Sequence, residues 1–228
     1  MGQYRTLLLD VDGTLLDFKK AEETGLRAVL ADVGYPFDAR AQAMYTKIND
    51  ALWKTFEQGR ISRDTVLATR FPKLFEVLGI DADGADAEIA YRRALSLSHE
   101  PVDGARTVCE LLCASHDLYI VTNGISHTQY ARLAASGLDK YFKDIFVSED
   151  TGSQKPHPDF FNYCFARMGG FDRAQTLIIG DSLTSDIAGG NNAGLDTCWY
   201  NPDRLANNTG ARVTHEIHTL VELLPIVC

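Results

Sequence analysis

The stretch Thr6-Leu7-Leu8-Leu9-Asp10-Val11-Asp12-Gly13-Thr14 decides how this chain is read. Its apolar part is too short and too uniform for a half-exposed antiparallel strand, in which every second residue meets water. A strand covered on both faces of a parallel sheet reads this way. Four further runs share that character: Leu118-Tyr119-Ile120-Val121, Ile145-Phe146-Val147, Leu177-Ile178-Ile179 and Thr197-Cys198-Trp199-Tyr200. Helical patterns separate them. Phe161, Cys164, Phe165 and Met168 follow the i, i+3, i+4, i+7 rule, as do Ile217, Leu220, Val221 and Leu224. Tyr130, Leu133 and Ala134 give a shorter stripe ahead of Gly137. Strand and helix in alternation predict an α/β fold with a doubly wound, mostly parallel, Rossmann-like sheet.

Residues 18–100 break the alternation, with helical segments and no convincing strand. Leu26, Val29, Leu30 and Val33 form one stripe closed by Gly34, and Tyr45, Ile48, Leu52 and Phe56 a second closed by Gly59. Ser62 is the expected N-cap of a third, which Pro72 should kink or split. Ala90, Ala94 and Leu97 suggest a fourth. The pattern predicts a helical cap over 18–100 inserted into a core of 1–17 and 101–228. The expected hinges lie near Asp17-Phe18 and Pro101-Val102. Asp81, Asp83, Gly84 and Asp86 imitate a calcium loop, but Gly79 stands where the first acidic ligand belongs. That stretch is read as an acidic turn with an N-cap.

Composition bounds the function. Of 228 residues, 45% are hydrophobic and 23% charged, as in an ordinary globular protein with a sizeable core. The formal net charge of -9 argues against a basic nucleic-acid-binding domain and a polybasic membrane-surface protein. Taken alone, that charge also counts against an anionic substrate. Five cysteines, an odd number at no metal spacing, suit a reducing cytoplasm. Cys109 and Cys113, one helical turn apart, are read as buried thiols. No secretory segment or run of transmembrane length is visible. Gly2 with Thr6 fits a loose myristoylation pattern, and Asn207-Asn208-Thr209 a glycosylation acceptor. An immediate core strand and the missing secretory signal argue against both.

Polar residues end four of the apolar runs. They are Asp10-Val11-Asp12-Gly13-Thr14, then Thr122-Asn123-Gly124, then Ser148-Glu149-Asp150 leading to Lys155-Pro156, and Gly180-Asp181-Ser182 followed by Asp186. Ligands of open α/β sheets bind beyond the carboxyl ends of the strands, so these groups are expected in one crevice. There Asp10, Asp12 and Asp181 would repel one another unless a cation intervened. An all-oxygen ligand set points to Mg²⁺. Lys155 offers phosphate a point charge, while Thr122 and Asn123 add a hydroxyl and an amide, a set suited to phosphoryl transfer. Residues i and i+2 of an extended strand project to one side, so Asp10 can face phosphorus as nucleophile with Asp12 one step further out as general acid and base. Asp10, Asp181 and the Asp12 carbonyl would hold the metal. Asp186 would orient Asp181 or Lys155 from behind, and Thr14 would brace the turn made by Gly13. Each motif alone is an ordinary turn or a solvated charge. Their coincidence after four buried strands carries the reading.

With these residues in place, the chain resembles haloacid dehalogenase superfamily phosphatases with a helical cap. The first motif of that superfamily matches Asp10-Val11-Asp12-Gly13-Thr14, the second Thr122, the third Lys155, and the fourth Gly180-Asp181 with Asp186. Leu15-Leu16-Asp17-Phe18, Leu52-Trp53 with 56–62, and 181–186 through Gly189-Gly190-Asn191-Asn192-Ala193-Gly194 look like the bacterial pyrimidine 5′-nucleotidase branch. The resemblance implies hydrolysis of nucleoside 5′-monophosphates such as UMP, dUMP and dTMP through an aspartyl-phosphate. The dehalogenases that name the superfamily lack the second aspartate and need no metal, so Asp12 favours a phosphatase.

Two other readings stay open. One is a phosphatase or mutase for a small sugar phosphate or phosphoglycolate. The other is a non-catalytic phosphate-ligand binding module, against which the intact Asp10, Asp12, Lys155 and Asp181 argue. The insertion holds 9 of the 22 aromatics. Phe18 and Trp53 are singled out as substrate contacts, although aromatics at helical spacing are usually core. Lys19, Arg60 and Arg63 are read as solvated. The expected partner is a small phosphorylated metabolite, with no nucleic acid polymer and no membrane, and the chain is expected as a monomer or homodimer. Residues 18–100 carry 12 bases and 13 acids, the remainder 10 and 18. Part of the core's acidity is thus the metal site itself, where a divalent cation inverts the local field. The net charge therefore does not exclude a single phosphate.

Overall fold

The computed structural model describes residues 3–228, so Gly2 of the acylation pattern lies outside the described residues. The chain forms two compact units, one from the residues up to Phe18 together with His99–Cys228, the other Lys19–Ser98. The first unit is built on six strands: β1 Thr6–Leu9, β2 Asp117–Thr122, β3 Asp144–Val147, β4 Thr176–Gly180, β5 Asp196–Tyr200 and β6 His215–Ile217. They pair in parallel in the order β3-β2-β1-β4-β5-β6. β1 is central, with Leu9 paired to Ile120 of β2 and to Ile179 of β4. All four β1 residues are buried because the sheet is covered on both sides. Leu7 and Leu9 enter one core with Val108, Leu112, Leu133 and Leu220, while Leu8 enters the other with Phe160, Phe161 and Ile178.

Helices α1 Phe18–Asp32, α2 Ala39–Glu57, α3 Arg63–Leu78 and α4 Gly84–Leu97 account for the second unit. The remaining helices are α5 Ala105–Leu112, α6 Ser126–Ser136, α7 Ser148–Thr151, α8 Pro158–Arg167, α9 Ala188–Ala193 and α10 Leu224–Val227. No helix among the described residues is long and apolar enough to cross a membrane. Ser62 caps α3 by accepting the Thr65 N–H, and Asp83 caps α4 by accepting the Ala85 N–H.

Several expectations need correction. α3 runs unbroken through Pro72, whose ring packs where a side chain at Gly84 would stand. The buried face of α4 is Ala87, Glu88, Tyr91 and Leu95, and Leu97 is exposed. The register moved because Glu88 is drawn inward by Arg70. The stripe from Ile217 to Leu224 is not one helix: Ile217 closes β6, Leu220–Leu223 forms a 3₁₀ turn, and Val221 is exposed. Pro225, which cannot donate an N–H, falls in the first turn of α10. α6 buries Thr128, Gln129, Arg132, Leu133 and Ser136, whereas Tyr130 and Ala134 face out. Cys109 is buried but Cys113 is exposed.

The two connections leaving the first unit run side by side. Asp17 donates its N–H to the Glu100 carbonyl, Val102 donates to Leu15, and Leu16 bridges Pro101. This tie fixes the strand end that carries the first aspartates.

Candidate active site

The sheet order reverses between β1 and β4, and the residues just past their carboxyl ends meet there. Asp10 follows β1, Asp181 follows β4, and Thr122 ends β2. Lys155 arrives from the loop after α7 and is 1% exposed. Its Nζ donates to Asp10 Oδ1 at 2.7 Å, to Asp186 Oδ1 at 2.6 Å and to the Val121 carbonyl at 2.7 Å. Those three bonds use all three ammonium protons. Burial alone would lower the Lys155 pKa, but Asp10 and Asp186 outweigh it and hold the group above the ordinary lysine range.

Asp10 is pushed up from its ordinary value first by burial, with Asp186 and Asp12 adding and Lys155 opposing. Asp181 is raised well above the usual carboxylate range by desolvation among the packed strand ends and by the charges of Asp10 and Asp186, although its side chain reaches solvent. Its backbone is held by the Trp199 indole, which donates to the Asp181 carbonyl at 2.9 Å. Gly13 makes this convergence possible. Its φ is +85°, and a Cβ there would stand 2.4 Å from Asp181 Oδ2.

A π-helical turn over Leu183–Ile187 directs Asp186 back toward the strand ends. Asp186 Oδ2 accepts the Ser182 N–H while Oδ1 accepts Lys155. One oxygen each from Asp10, Asp181 and Asp186 lie within 4.8 Å of one another. Three carboxylates around one ammonium leave net negative charge, which a divalent cation would neutralise. Asp186 is engaged on both oxygens and only 1% exposed, so Asp10 and Asp181 are the carboxylates of this trio open to an ion. The donors are all oxygen and fit Mg²⁺.

The other expected residues fall into place differently. Thr122 Oγ accepts the Gly124 N–H, which leaves its own O–H able to donate. The Asn123 side chain is turned onto the peptide of Lys155, so only its backbone could face an anion. Thr14 does not brace the turn through its hydroxyl, which is buried with no hydrogen-bond partner among the described residues. Backbone bonds brace it instead, from Gly13 N–H to Leu16 and from Leu15 and Leu16 N–H to Val11. Asp12 lies just past the end of β1, where its backbone bridges Leu16, and its charge adds to the rise in the Asp10 pKa. Its carboxylate is bound by Gln129 and Arg132 of α6, one donor on each oxygen. Phe18 is half-buried, with the Arg132 guanidinium 5.8 Å from its ring centre. Trp53 belongs to the helical unit, where its indole donates to Asn49 and its ring meets Phe56 edge-on. Gln129, Arg132 and Trp199 were not anticipated. The available signal was a polar pair three residues apart on the helix that follows the second motif.

A family model for haloacid dehalogenase-like hydrolases matches residues 4–194. The chain belongs to this family. It is 52% identical over 227 residues to the HAD-hydrolase YfnB of Bacillus subtilis, covering all of this chain and 97% of the relative. It is 41% identical over 222 residues to the pyrimidine 5′-nucleotidase PynA of Streptococcus pneumoniae, covering 97% of this chain and 94% of the relative. The crystal structure of YfnB, described as bound to magnesium and as revealing interdomain movement, superposes with a TM-score of 0.94 at 53% identity over 98% of each chain. In this haloacid dehalogenase-like hydrolase Asp10, Lys155, Asp181 and Asp186 thus meet at one end of the sheet.

Proposed function

We propose that this chain is a Mg²⁺-dependent phosphomonoester hydrolase acting on nucleoside 5′-monophosphates, with a pyrimidine preference, through an aspartyl-phosphate on Asp10. The observation that carries the reading is the Asp10–Lys155 contact at 2.7 Å inside an acidic, all-oxygen cluster with Asp181. The likeness to PynA over nearly its full length supports the substrate class, and the magnesium of the YfnB crystal supports the ion.

Bound Mg²⁺ would be held by Asp10, Asp181 and the Asp12 carbonyl and would neutralise charge on the phosphoryl oxygens. Asp10 attacks phosphorus with a carboxylate oxygen while the ester P–O bond breaks. The leaving nucleoside oxygen takes its proton from the Asp12 carboxyl. Water then attacks the same phosphorus, giving a proton to Asp12, and the bond from phosphorus to Asp10 breaks. Thr122 donates its hydroxyl to a phosphoryl oxygen. Lys155 holds Asp10 in line, and can bind a phosphoryl oxygen only by giving up one of its three present acceptors. The helical unit serves as a movable cap, consistent with the interdomain movement described for YfnB, and Phe18 and Trp53 are the proposed substrate contacts. Five unpaired cysteines suit a cytoplasmic enzyme.

The test is phosphate release from UMP, dUMP, dTMP, purine monophosphates and sugar phosphates with and without EDTA. Pyrimidine nucleotides should be turned over best, and activity should vanish with EDTA or with Asp10→Asn. Better turnover of sugar phosphates would move the chain to another substrate class. Activity in EDTA or in Asp10→Asn would overturn the mechanism.

A further inference from the structure

The Asp12 carboxylate is held from one side by two donors of a single helix. Gln129 Nε2 donates to Oδ2 at 2.5 Å, and Arg132 Nη1 pairs with Oδ1. Gln129 and Arg132 lie three residues apart and so share one face of α6. They are 2% and 1% exposed. Burying a guanidinium is costly unless it is paired, so simple packing would favour an apolar residue at position 132. Gln129 reaches Asp12 by passing through space that a side chain at position 124 would fill. A Cβ on Gly124 would stand 1.9 Å from Gln129 Nε2 and 2.6 Å from Cδ. The glycine of the second motif is therefore tied to the aspartate of the first through Gln129. From its other side, the Arg132 guanidinium lies within cation–π range of Phe18.

A carboxylate offers about four acceptor lone pairs, of which the α6 donors use two. The other two remain available, and the Asp12 side chain is still 24% exposed. Asp12 can thus exchange a proton with a bound ester or with water while both α6 contacts stay in place.

We propose that Gln129 and Arg132 are positioning residues for the proton transfers of this enzyme. They fix the Asp12 side chain so that its open lone pairs face the ester oxygen and the hydrolytic water. The proposal rests on the phosphatase reading above. Neither residue touches substrate in this assignment; each acts through Asp12.

The experiment compares UMP, whose leaving oxygen needs a proton, with p-nitrophenyl phosphate, whose leaving group departs without one. Arg132→Met and Gln129→Glu are tested by rapid quench and stopped flow with Mg²⁺, with Arg132→Lys as the conservative variant. For UMP, kcat should fall at least about tenfold in Arg132→Met while KM changes little, within the range of one general acid–base group. For p-nitrophenyl phosphate, the first turnover should keep its rate. The later turnovers should slow, giving a burst of about one p-nitrophenolate per enzyme, because only hydrolysis of the phosphoenzyme still needs Asp12. Arg132→Lys should recover part of the loss. Equal slowing of both substrates in every phase, or no change in either, would overturn the positioning role. If Arg132→Met is too unstable to assay, Gln129→Glu carries the same test, since it replaces the amide donor with a like charge. Failure of the phosphatase reading would look different, as activity surviving in Asp10→Asn.

Discussion

The side chain of Asn123 closes on both polar groups of the Lys155 backbone. Oδ1 accepts the Lys155 N–H at 2.8 Å, and Nδ2 donates to the Lys155 carbonyl at 2.9 Å and to Ser185 Oγ at 3.2 Å. Lys155 lies in a loop, and loops seldom place a side chain this precisely unless their own backbone is tied. The Asn123 amide supplies that tie from the end of β2, next to the Val121 carbonyl that takes one ammonium proton.

Asn123→Ala should therefore lower kcat more than it raises KM, by about tenfold or more, since small misplacements of a working group cost that much. Loss of the two-point contact should also cost about 1–2 kcal/mol of stability. Asn123→Asp keeps the acceptor for the N–H but loses the donor to the carbonyl, and should fall between. Urea unfolding together with steady-state rates on UMP checks both. An Asn123→Ala protein with unchanged kcat would show that Lys155 is placed without this clamp.

Gly13→Ala should weaken the site through its backbone as well as its shape. A left-handed φ of +85° costs an alanine about 1–2 kcal/mol, and the added methyl meets Asp181 Oδ2 at 2.4 Å. Expected together are a lower melting temperature and a smaller Mg²⁺-induced rise in that temperature, both read by calorimetry with and without the ion. A variant that melts lower but keeps the full Mg²⁺ response would show that Asp181 moves aside without consequence.

The five apolar runs became strands because burial on both faces leaves its mark on every residue of a short segment. β6 escaped notice because it is three residues long and only Ile217 is buried. The aspartates and Lys155 were legible because motif residues stand directly after such runs. The surroundings of Asp12 were not, since a helical stripe is normally read by its apolar residues, and here the buried face of α6 is mostly polar. The same inversion hid Glu88 on α4, which is buried by pairing with Arg70 rather than by hydrophobicity. Buried ion pairs are set by residues distant in sequence, and no local pattern announces them.

That pair yields its own prediction. Arg70 Nε and Nη2 each donate to Glu88 at 2.7 Å, Nη1 donates to Asn49 at 3.2 Å, and the guanidinium lies 4.5 Å from the Tyr91 ring centre. Removing Glu88 strands the buried Arg70 charge, so Glu88→Leu alone should cost the helical unit about 3–5 kcal/mol, whereas Arg70→Leu should cost less because Glu88 keeps Arg92 at 3.4 Å. The double variant Arg70→Leu/Glu88→Leu should recover much of that, because neither charge is then left without its partner. A double-mutant cycle by urea unfolding measures the coupling. Additive single losses would show that the two charges do not depend on one another.

Glu22, on α1 of the same unit, gives a pH dependence with a definite sign. Its oxygens accept from Thr46 at 2.9 Å and from Asn49 at 3.3 Å, with Asp50 and Arg70 as the charged groups acting on it. Its pKa is raised from the ordinary 4.5, mainly by burial, with Asp50 adding and the Thr46 bond and Arg70 opposing. A carboxyl whose folded pKa exceeds its unfolded one holds more protons when folded. Its favourable contribution is therefore complete below the unfolded value and is lost as pH rises through the folded value. Asp50, also raised by burial, adds to the slope with the same sign. Glu22→Gln cannot titrate, and its amide loses the bond from Asn49 at every pH, a constant offset. The melting temperature of Glu22→Gln minus that of the unsubstituted protein should thus increase as pH rises above the ordinary carboxyl range of about 4, and level off once Glu22 is ionised in the folded chain. Calorimetry at matched ionic strength measures it. A difference that stays flat or declines across that window would mean that Glu22 titrates alike in the folded and unfolded chain.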